Sequence, residues 1–458
     1  MSEKVLDINE KQKDFILNEN MWKVMWQQSW PAIIAMVLYG LNSMLDVFFV
    51  GRYVGESAVA AVSITYPLSS LSVAFGSFVG AGAAAILSIA LGAKDLDTQE
   101  KLLGNANVLN IICTLIFMAI GFIFSKPLIS MMGGSGEVLA LGNEYFIITL
   151  YGAIFWVMGL SFNLIIRAEG KMKTAAWMMG TGLAVNALCN YIFMGRMGMG
   201  VDGAAWGTNI GMLVYTIVGV IYFAMNKASF KTKVFSLRID KGIFSDMIKI
   251  GIPSFLMSVM SLLQSVVIFN ALNKYGTVGD VAFYGIVSRL FNFLLTPIMG
   301  LMRALQPVIG INFGAGKYER VIGFFKTFAL FATILTVPFW LITMIAPELL
   351  MGMMLTEQTI TFSQSLALRT YMSILPLLSI VFMGMTFFPA IKKPKPAGVM
   401  GMARQFVFYI PVMLIVPRFF GVESIYYTSF AIDLIITIWC AILVKAEFKK
   451  LRSIGNEA

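Results

Sequence analysis

The sequence predicts an all-α polytopic membrane protein, with twelve transmembrane helices arranged as two parallel-repeat six-helix lobes. Three observations carry this. The 458 residues are 58% hydrophobic and only 13% charged, with a mean hydropathy of +0.81. Soluble domains run near 25% charged, so too few polar side chains remain to cover a globular surface and most of it faces lipid. The apolar residues also gather into long stretches rather than the alternating segments of about ten residues that a β-barrel needs, and helices satisfy the backbone in lipid. Finally, the second half of the chain repeats the first.

In chain order, residues 1–29 are polar and mixed in charge, with no apolar core of a cleavable signal. They read as a cytoplasmic segment, and the first span acts as its own insertion signal. The N-lobe, 30–226, carries apolar stretches at 30–50, 57–91, 105–125, 138–166, 175–194 and 203–226. A basic segment, 227–249, links the lobes. The C-lobe, 250–444, carries stretches at 250–273, 280–313, 321–345, 361–391, 397–416 and 424–444, and 445–458 form a cytoplasmic tail. Several stretches exceed the roughly 20 residues that cross a bilayer, so tilts or kinks are expected.

A shift of 222 residues places Pro31 on Pro253, Leu41 on Leu263, Tyr53 on Tyr275 and Ile64 on Ile286. It also pairs Val59-Ala60 with Val281-Ala282, Gly92-Ala93 with Gly314-Ala315, and Lys171, Lys173 and Ala175 with Lys393, Lys395 and Ala397. An even number of spans per repeat sends both halves into the membrane in the same direction, and the interface between such repeats is the natural place for a cavity. Of the 34 Lys and Arg, 25 fall on one side, in 1–29, 92–104, 167–174, 227–249, 314–326, 392–396 and 445–458. Only Arg52, Lys126, Arg196, Lys274 and Arg418 fall on the other. This asymmetry puts both termini in the cytoplasm. The net charge of +10 is therefore an orientation signal, and no nucleic-acid partner is expected.

There is no histidine, which removes imidazole bases and His-ligated metals. Cys113, Cys189 and Cys440 sit far apart in apolar stretches and read as buried hydrophobes. Gly76, Gly80 and Ala84 read as a helix-packing stripe. Gly314-Ala315-Gly316-Lys317 lacks the spacing of a phosphate loop, so ATP-driven transport within this chain has no support, and no enzymatic activity is expected. A membrane hydrolase or transferase would need clustered carboxylates, a nucleophile motif or metal ligands.

Charge inside a span is expensive and needs a reason. Asp46 lies in the first span on the face of Asn42, one turn earlier; its repeat equivalent is Ile268. Burial favours the neutral acid and a bound cation favours the carboxylate, so this one group suits exchange of a proton or sodium ion for a cationic solute. The bland alternative is an acid near the helix end reaching interfacial water. Asn186 and Asn190 form an i, i+4 pair in the fifth span and Thr208 lies early in the sixth; their oxygens suit a hard monovalent cation, or serve as interhelical glue. Tyr39, two turns before Asp46, is the aromatic best placed for a cavity. The 37 Phe and 32 Met offer adaptable contacts for flat apolar cations, although most must face lipid or neighbouring helices. Arg289, Arg303, Arg369 and Arg404 fall within C-lobe spans against the single acid Asp433, and are expected to be paired, bonded to helix ends or close to the interface.

The segment SWPAIIAMVLYGLNSMLDVFFVGRYVGESAVAAVSI, with its proline and lone aspartate, resembles the first helix and turn of the multidrug and toxic compound extrusion (MATE) transporters. PVIGINFGAGKYERV is similar to the segment leaving their eighth helix, and NYIFMGRMGMGVDGAAWGT to their fifth-to-sixth connection. The resemblance spans nearly the whole chain. It implies that Asp46 is the first-helix acid, Asn186 the fifth-helix asparagine, Thr208 the sixth-helix hydroxyl and Pro31 the proline whose bending accompanies coupling. Two departures stand out: Asn190 falls where many members carry an aspartate, and the seventh and tenth spans offer Gln264 and Arg369 where some members carry acids. The expectation is a secondary active exporter of small organic cations in the plasma membrane. It would alternate access between its lobes and couple to protons or sodium through Asp46, Asn186, Asn190 and Thr208. Tyr39, Asn42 and Gln264 would line the cavity. No cofactor is expected, apart from a sodium ion if sodium is the coupling ion. Membrane lipid and the solute are the expected partners, with the monomer as the working unit. A flippase for a lipid-linked saccharide is the alternative, because a pyrophosphate would seek the C-lobe arginines.

Overall fold

The computed structural model describes residues 3–348 and 361–457; Met1 and Ser2 of the N-terminal segment, Ala458 of the tail and residues 349–360 between spans nine and ten lie outside the described residues. The described residues are helical almost throughout. An amphipathic α1 (Glu3–Asn18) precedes the first half, which contains α2 (Met21–Tyr53), α3 (Glu56–Ala93), α4 (Leu96–Met131), α5 (Gly136–Tyr151), α6 (Ala153–Ala168), α7 (Met172–Asn190) and α8 (Gly200–Ala224). The second half contains α9 (Lys241–Tyr275), α10 (Val278–Gly314), α11 (Tyr318–Ile345), α12 (Phe362–Met372), α13 (Leu375–Ala390), α14 (Pro394–Met402), α15 (Ile410–Phe420) and α16 (Ser424–Glu457). A π-helical turn, Tyr191–Arg196, extends α7, and another, Ala403–Tyr409, joins α14 to α15.

Helix ends follow local chemistry. The Asp240 carboxylate caps α9 by accepting from the amides of Gly242 and Ile243, which with nearby Lys101 hold it below the usual carboxylate range. Thr277 and Asp280 form a capping box at the start of α10. Among the described residues ten spans are long and apolar enough to cross a membrane, two of them formed by α12 with α13 and by α14 with α15, and α5 with α6, bent by 54°, makes an eleventh if taken as one span. The twelfth expected span corresponds to α7, whose apolar run is interrupted by Asn186 and Asn190.

The structure differs from the sequence expectation in three places. The first span starts at Met21 rather than near 30, because Val24, Met25, Gln28 and Ser29 pack inward although Lys23, Gln27 and Gln28 dilute the apolar signal. The last helix continues to Glu457, so the tail is an extension of the span rather than a separate segment. The fourth span breaks at Gly152. There the Asn209 amide donates 2.6 Å to the Ile148 carbonyl, the acceptor that an unbroken helix would give to the Gly152 amide, and a β-carbon on Gly152 would collide with that same side chain.

Within the first half, Gly76 and Gly80 pack α3 against Val157, Leu160, Ser161 and Leu164 of α6, the role expected of that stripe. Between the halves, α3 packs on α9 and α10, and α2 on α10. Gly82 meets the Met247 backbone, Gly251 that of Phe78, Gly92 the Ile311 carbonyl, Gly310 the Ser88 side chain and Gly314 the Ile89 carbonyl. Gln306 Nε2 donates 3.2 Å to the Ala81 carbonyl. These close approaches fall on the end of the bundle that carries the termini and basic segments. There α1 bridges the lobes: Gln12 donates to the Gly170 carbonyl (3.1 Å), and Arg320 donates to the carbonyls of Ile16 (3.1 Å) and Glu19 (2.8 Å). Towards the other end Leu41, Met44, Leu45 and Phe48 of α2 are exposed. The close inter-lobe approaches named above are thus gathered towards the end carrying the termini.

These approaches can be tested. Overpacking costs about 1–3 kcal/mol, roughly a five- to 150-fold shift between open and closed forms. Gly92→Val drives a side chain into the Ile311 backbone, so a Ser88→Cys probe beside it, with the native cysteines replaced, is expected to react with a maleimide about tenfold faster. Unchanged labelling would show that the glycine contacts do not hold the lobes together.

Candidate functional site

The polar residues of the first half converge. Gly207 and Gly211 let α7 lie close to α8, because a β-carbon on either would strike Asn190 or Asn186. That approach leaves both asparagines 1% exposed. Asn190 Nδ2 donates 2.6 Å to Asp46 Oδ1, and Asn42 Nδ2 donates 3.4 Å to Asp46 Oδ2. Asn186 Nδ2 donates 3.3 Å to Thr208 Oγ1, which in turn donates 3.0 Å to the Ala204 carbonyl. Asp46, Asn42, Asn186, Asn190 and Thr208 therefore form one cluster across α2, α7 and α8.

Two features of this cluster matter chemically. Among the described residues Asp46 has amide partners but no cationic one. The side-chain oxygens of Asn186 and Asn190 are buried and accept no hydrogen bond. A carboxylate with two idle amide oxygens beside it is a donor set for a hard monovalent cation, and the carboxylate alone takes a proton. Two tyrosines complete the surroundings. Tyr145 of α5 and Tyr39 of α2 both lie in the field of Asp46, with Thr208 close to Tyr145 and the half-exposed Tyr66 of α3 close to Tyr39. Neither Tyr145 nor Tyr66 carries a sequence signal, since a tyrosine in an apolar span looks the same whether it faces lipid or a polar cluster.

The second half is built differently. Gln264 is the repeat equivalent of Asn42, yet it accepts 2.7 Å from Gln405 Nε2 and lies apart from the Asp46 cluster. In both halves, however, the first helix reaches the fifth through a polar contact. The acid of the second half is neutralised: Arg404 Nε donates 2.7 Å to Asp433 Oδ1, Tyr409 donates 3.4 Å to Oδ2, and the guanidinium lies 4.9 Å from the Tyr409 ring centroid. The other arginines diverge. Arg289 is exposed, Arg369 keeps a buried Nε without a partner, and Arg303 is partly buried facing the first half. Arg167, counted from the sequence in the basic segment 167–174, is 3% exposed, because α6 continues to Ala168 and carries it into the bundle. Pro31 stands inside a continuous α2.

The MatE family model matches residues 31–192 and 253–415, two segments starting at Pro31 and Pro253, the offset of the internal repeat. The multidrug export protein MepA of Staphylococcus aureus (strain MRSA252) is 27% identical over 406 residues, 88% of this chain and 89% of its own. A crystal structure of MATE in the bent conformation shares the fold with a TM-score of 0.90 at 20% identity, covering 97% of this chain and 99% of that one. The outward-facing conformation of a multidrug resistance MATE family transporter of the MOP superfamily does so with a TM-score of 0.88 at 21% identity, over 95% and 98%. With both halves of its repeat matched by the model that the first-helix and eighth-helix segments resemble, the chain belongs to the MatE family.

Proposed function

We propose that this protein exports small organic cations across the plasma membrane, with both termini in the cytoplasm, in exchange for an inward-moving proton or sodium ion. The observation that carries this reading is the contrast between two buried acids. Asp433 is matched by Arg404, whereas Asp46 has only amides around it and stays free to take a cation. MepA, a multidrug exporter by name, supports the direction and the breadth of substrate.

In this reading the coupling ion enters from the side opposite the termini and binds Asp46. A proton neutralises the carboxylate. A sodium ion draws the idle oxygens of Asn186 and Asn190 into its shell, the Asn190 amide turning over to present its oxygen. Neutralising Asp46 removes its attraction for a cationic solute held near Tyr39 and Asn42, which then leaves on the side opposite the termini. Pro31 removes one hydrogen bond from α2 and gives that helix a place to bend as the lobes rock about the glycine contacts. No cofactor takes part, and one chain supplies both lobes.

The test is ethidium efflux from vesicles under separately imposed proton and sodium gradients. Efflux driven by one gradient identifies the coupling ion. No gradient-driven efflux of any tested cation, together with translocation of a lipid-linked saccharide, would replace the export reading with the flippase. That alternative draws its support from Arg303, which carries no counter-charge.

A further inference from the structure

Several buried charges elsewhere among the described residues are matched. Glu169 accepts from the Tyr222 hydroxyl and the Ser229 amide and lies 3.3 Å from Lys171 Nζ; Glu447 pairs with Lys393, and Asp433 with Arg404. Arg167 and Arg303 break this pattern. Arg167, on α6 of the first half, donates through Nε to Asn163 Oδ1 at 2.7 Å, while its Nη1 is buried without a partner. Arg303, on α10 of the second half, makes no hydrogen bond or ion pair among the described residues. The two guanidinium groups are electrostatic neighbours, and both act on Tyr215, whose hydroxyl is also buried without a partner. No carboxylate stands against either arginine among the described residues.

Two like charges held together out of water repel each other and lose hydration, and an anion between them relieves both penalties. Arginine suits this role because its planar fork matches the geometry of carboxylate and phosphate oxygens. The cluster is also joined to the Asp46 site. Tyr39 is an electrostatic neighbour of both Asp46 and Arg303. A solute beside Tyr39 thus lies in the field of a carboxylate and of a guanidinium group.

We propose that Arg303 and Arg167, with the Tyr215 hydroxyl, hold the carboxylate or phosphate group of an amphiphilic organic solute whose cationic portion lies towards Tyr39 and Asp46. This rests on the export reading and names a substrate class for the same cleft: zwitterions, in preference to simple cations. Arg303, partly exposed and contributed by the opposite lobe, makes the first contact; Arg167 backs it from inside the first lobe.

The test uses two rhodamine dyes that differ in one group, rhodamine 110 with a free carboxylate and rhodamine 123 with the methyl ester. Binding to the full chain in nanodiscs is read by fluorescence anisotropy. Wild type is expected to bind the carboxylate dye about tenfold tighter than the ester, Arg303→Gln to equalise the two, and Arg303→Lys to keep part of the preference. Equal affinities in wild type, or a preference that survives both Arg303→Gln and Arg167→Gln, would overturn the proposal. So would loss of the preference in millimolar inorganic phosphate or chloride, which would make the cluster a site for a free inorganic anion. Binding is read at equilibrium without a gradient. Absence of efflux in vesicles therefore sinks the export reading and leaves this result standing, and equal dye affinities sink the zwitterion site and leave the export reading standing.

Discussion

Asp46→Asn is expected to abolish gradient-driven efflux while leaving the fold intact. Asparagine keeps the size of the side chain and an oxygen to accept from Asn190, whose amide donates 2.6 Å to Asp46. Only the charge is lost. A unit charge about 4 Å from a bound cation contributes about 4 kcal/mol at an effective dielectric near 20, which is well over 100-fold in affinity. No other acid compensates, because Asp433 is committed to Arg404. Asn190→Ala keeps the carboxylate but removes the oxygen proposed to join a sodium shell, so it is expected to weaken sodium coupling and to spare proton coupling. The measurement is efflux rate in vesicles against ion gradient, with the thermal midpoint of each purified variant as the control for folding. Efflux by Asp46→Asn equal to wild type would remove Asp46 from the coupling step.

The second large effect is on stability. Breaking the Arg404–Asp433 pair from one side leaves a buried charge without a partner, and such losses cost about 3–5 kcal/mol. Arg404→Met strands the Asp433 carboxylate, which is 3% exposed, with only the longer Tyr409 contact at 3.4 Å. Asp433→Leu strands the guanidinium. The double substitution Arg404→Met/Asp433→Leu removes both desolvation costs at once and is expected to recover more than half of what either single change loses. Thermal unfolding in detergent, followed by tryptophan fluorescence, reads the order of the four proteins. A double variant less stable than both single ones would mean that the two charges do not stabilise each other.

Much of this protein was legible in its residues. Membrane class, helix positions and the two-lobe repeat follow from hydrophobicity and spacing, which are local properties that lipid enforces. Asp46 stood out for the same reason, since a lone acid in an apolar span needs an explanation, and Asn42 one turn away on the same face followed from helix geometry. The tertiary structure decided what depends on two helices meeting. Asn209 bonding Ile148 sets the break at Gly152, and Gly207 and Gly211 bring Asn186 and Asn190 to Asp46. Tyr145 comes close to Thr208, and Tyr66 to Tyr39, only through the packing of their helices. Gln264, on α9 of the second half, meets Gln405 of the same half. The arginines show the difference most clearly. Sequence reads them as a count of charges, whereas packing pairs Arg404 with an acid, leaves Arg289 exposed and sets Arg167 beside Arg303. An apolar span is specified by its own residues, but the partner of a charge is specified by whichever distant helix lies within a few ångströms.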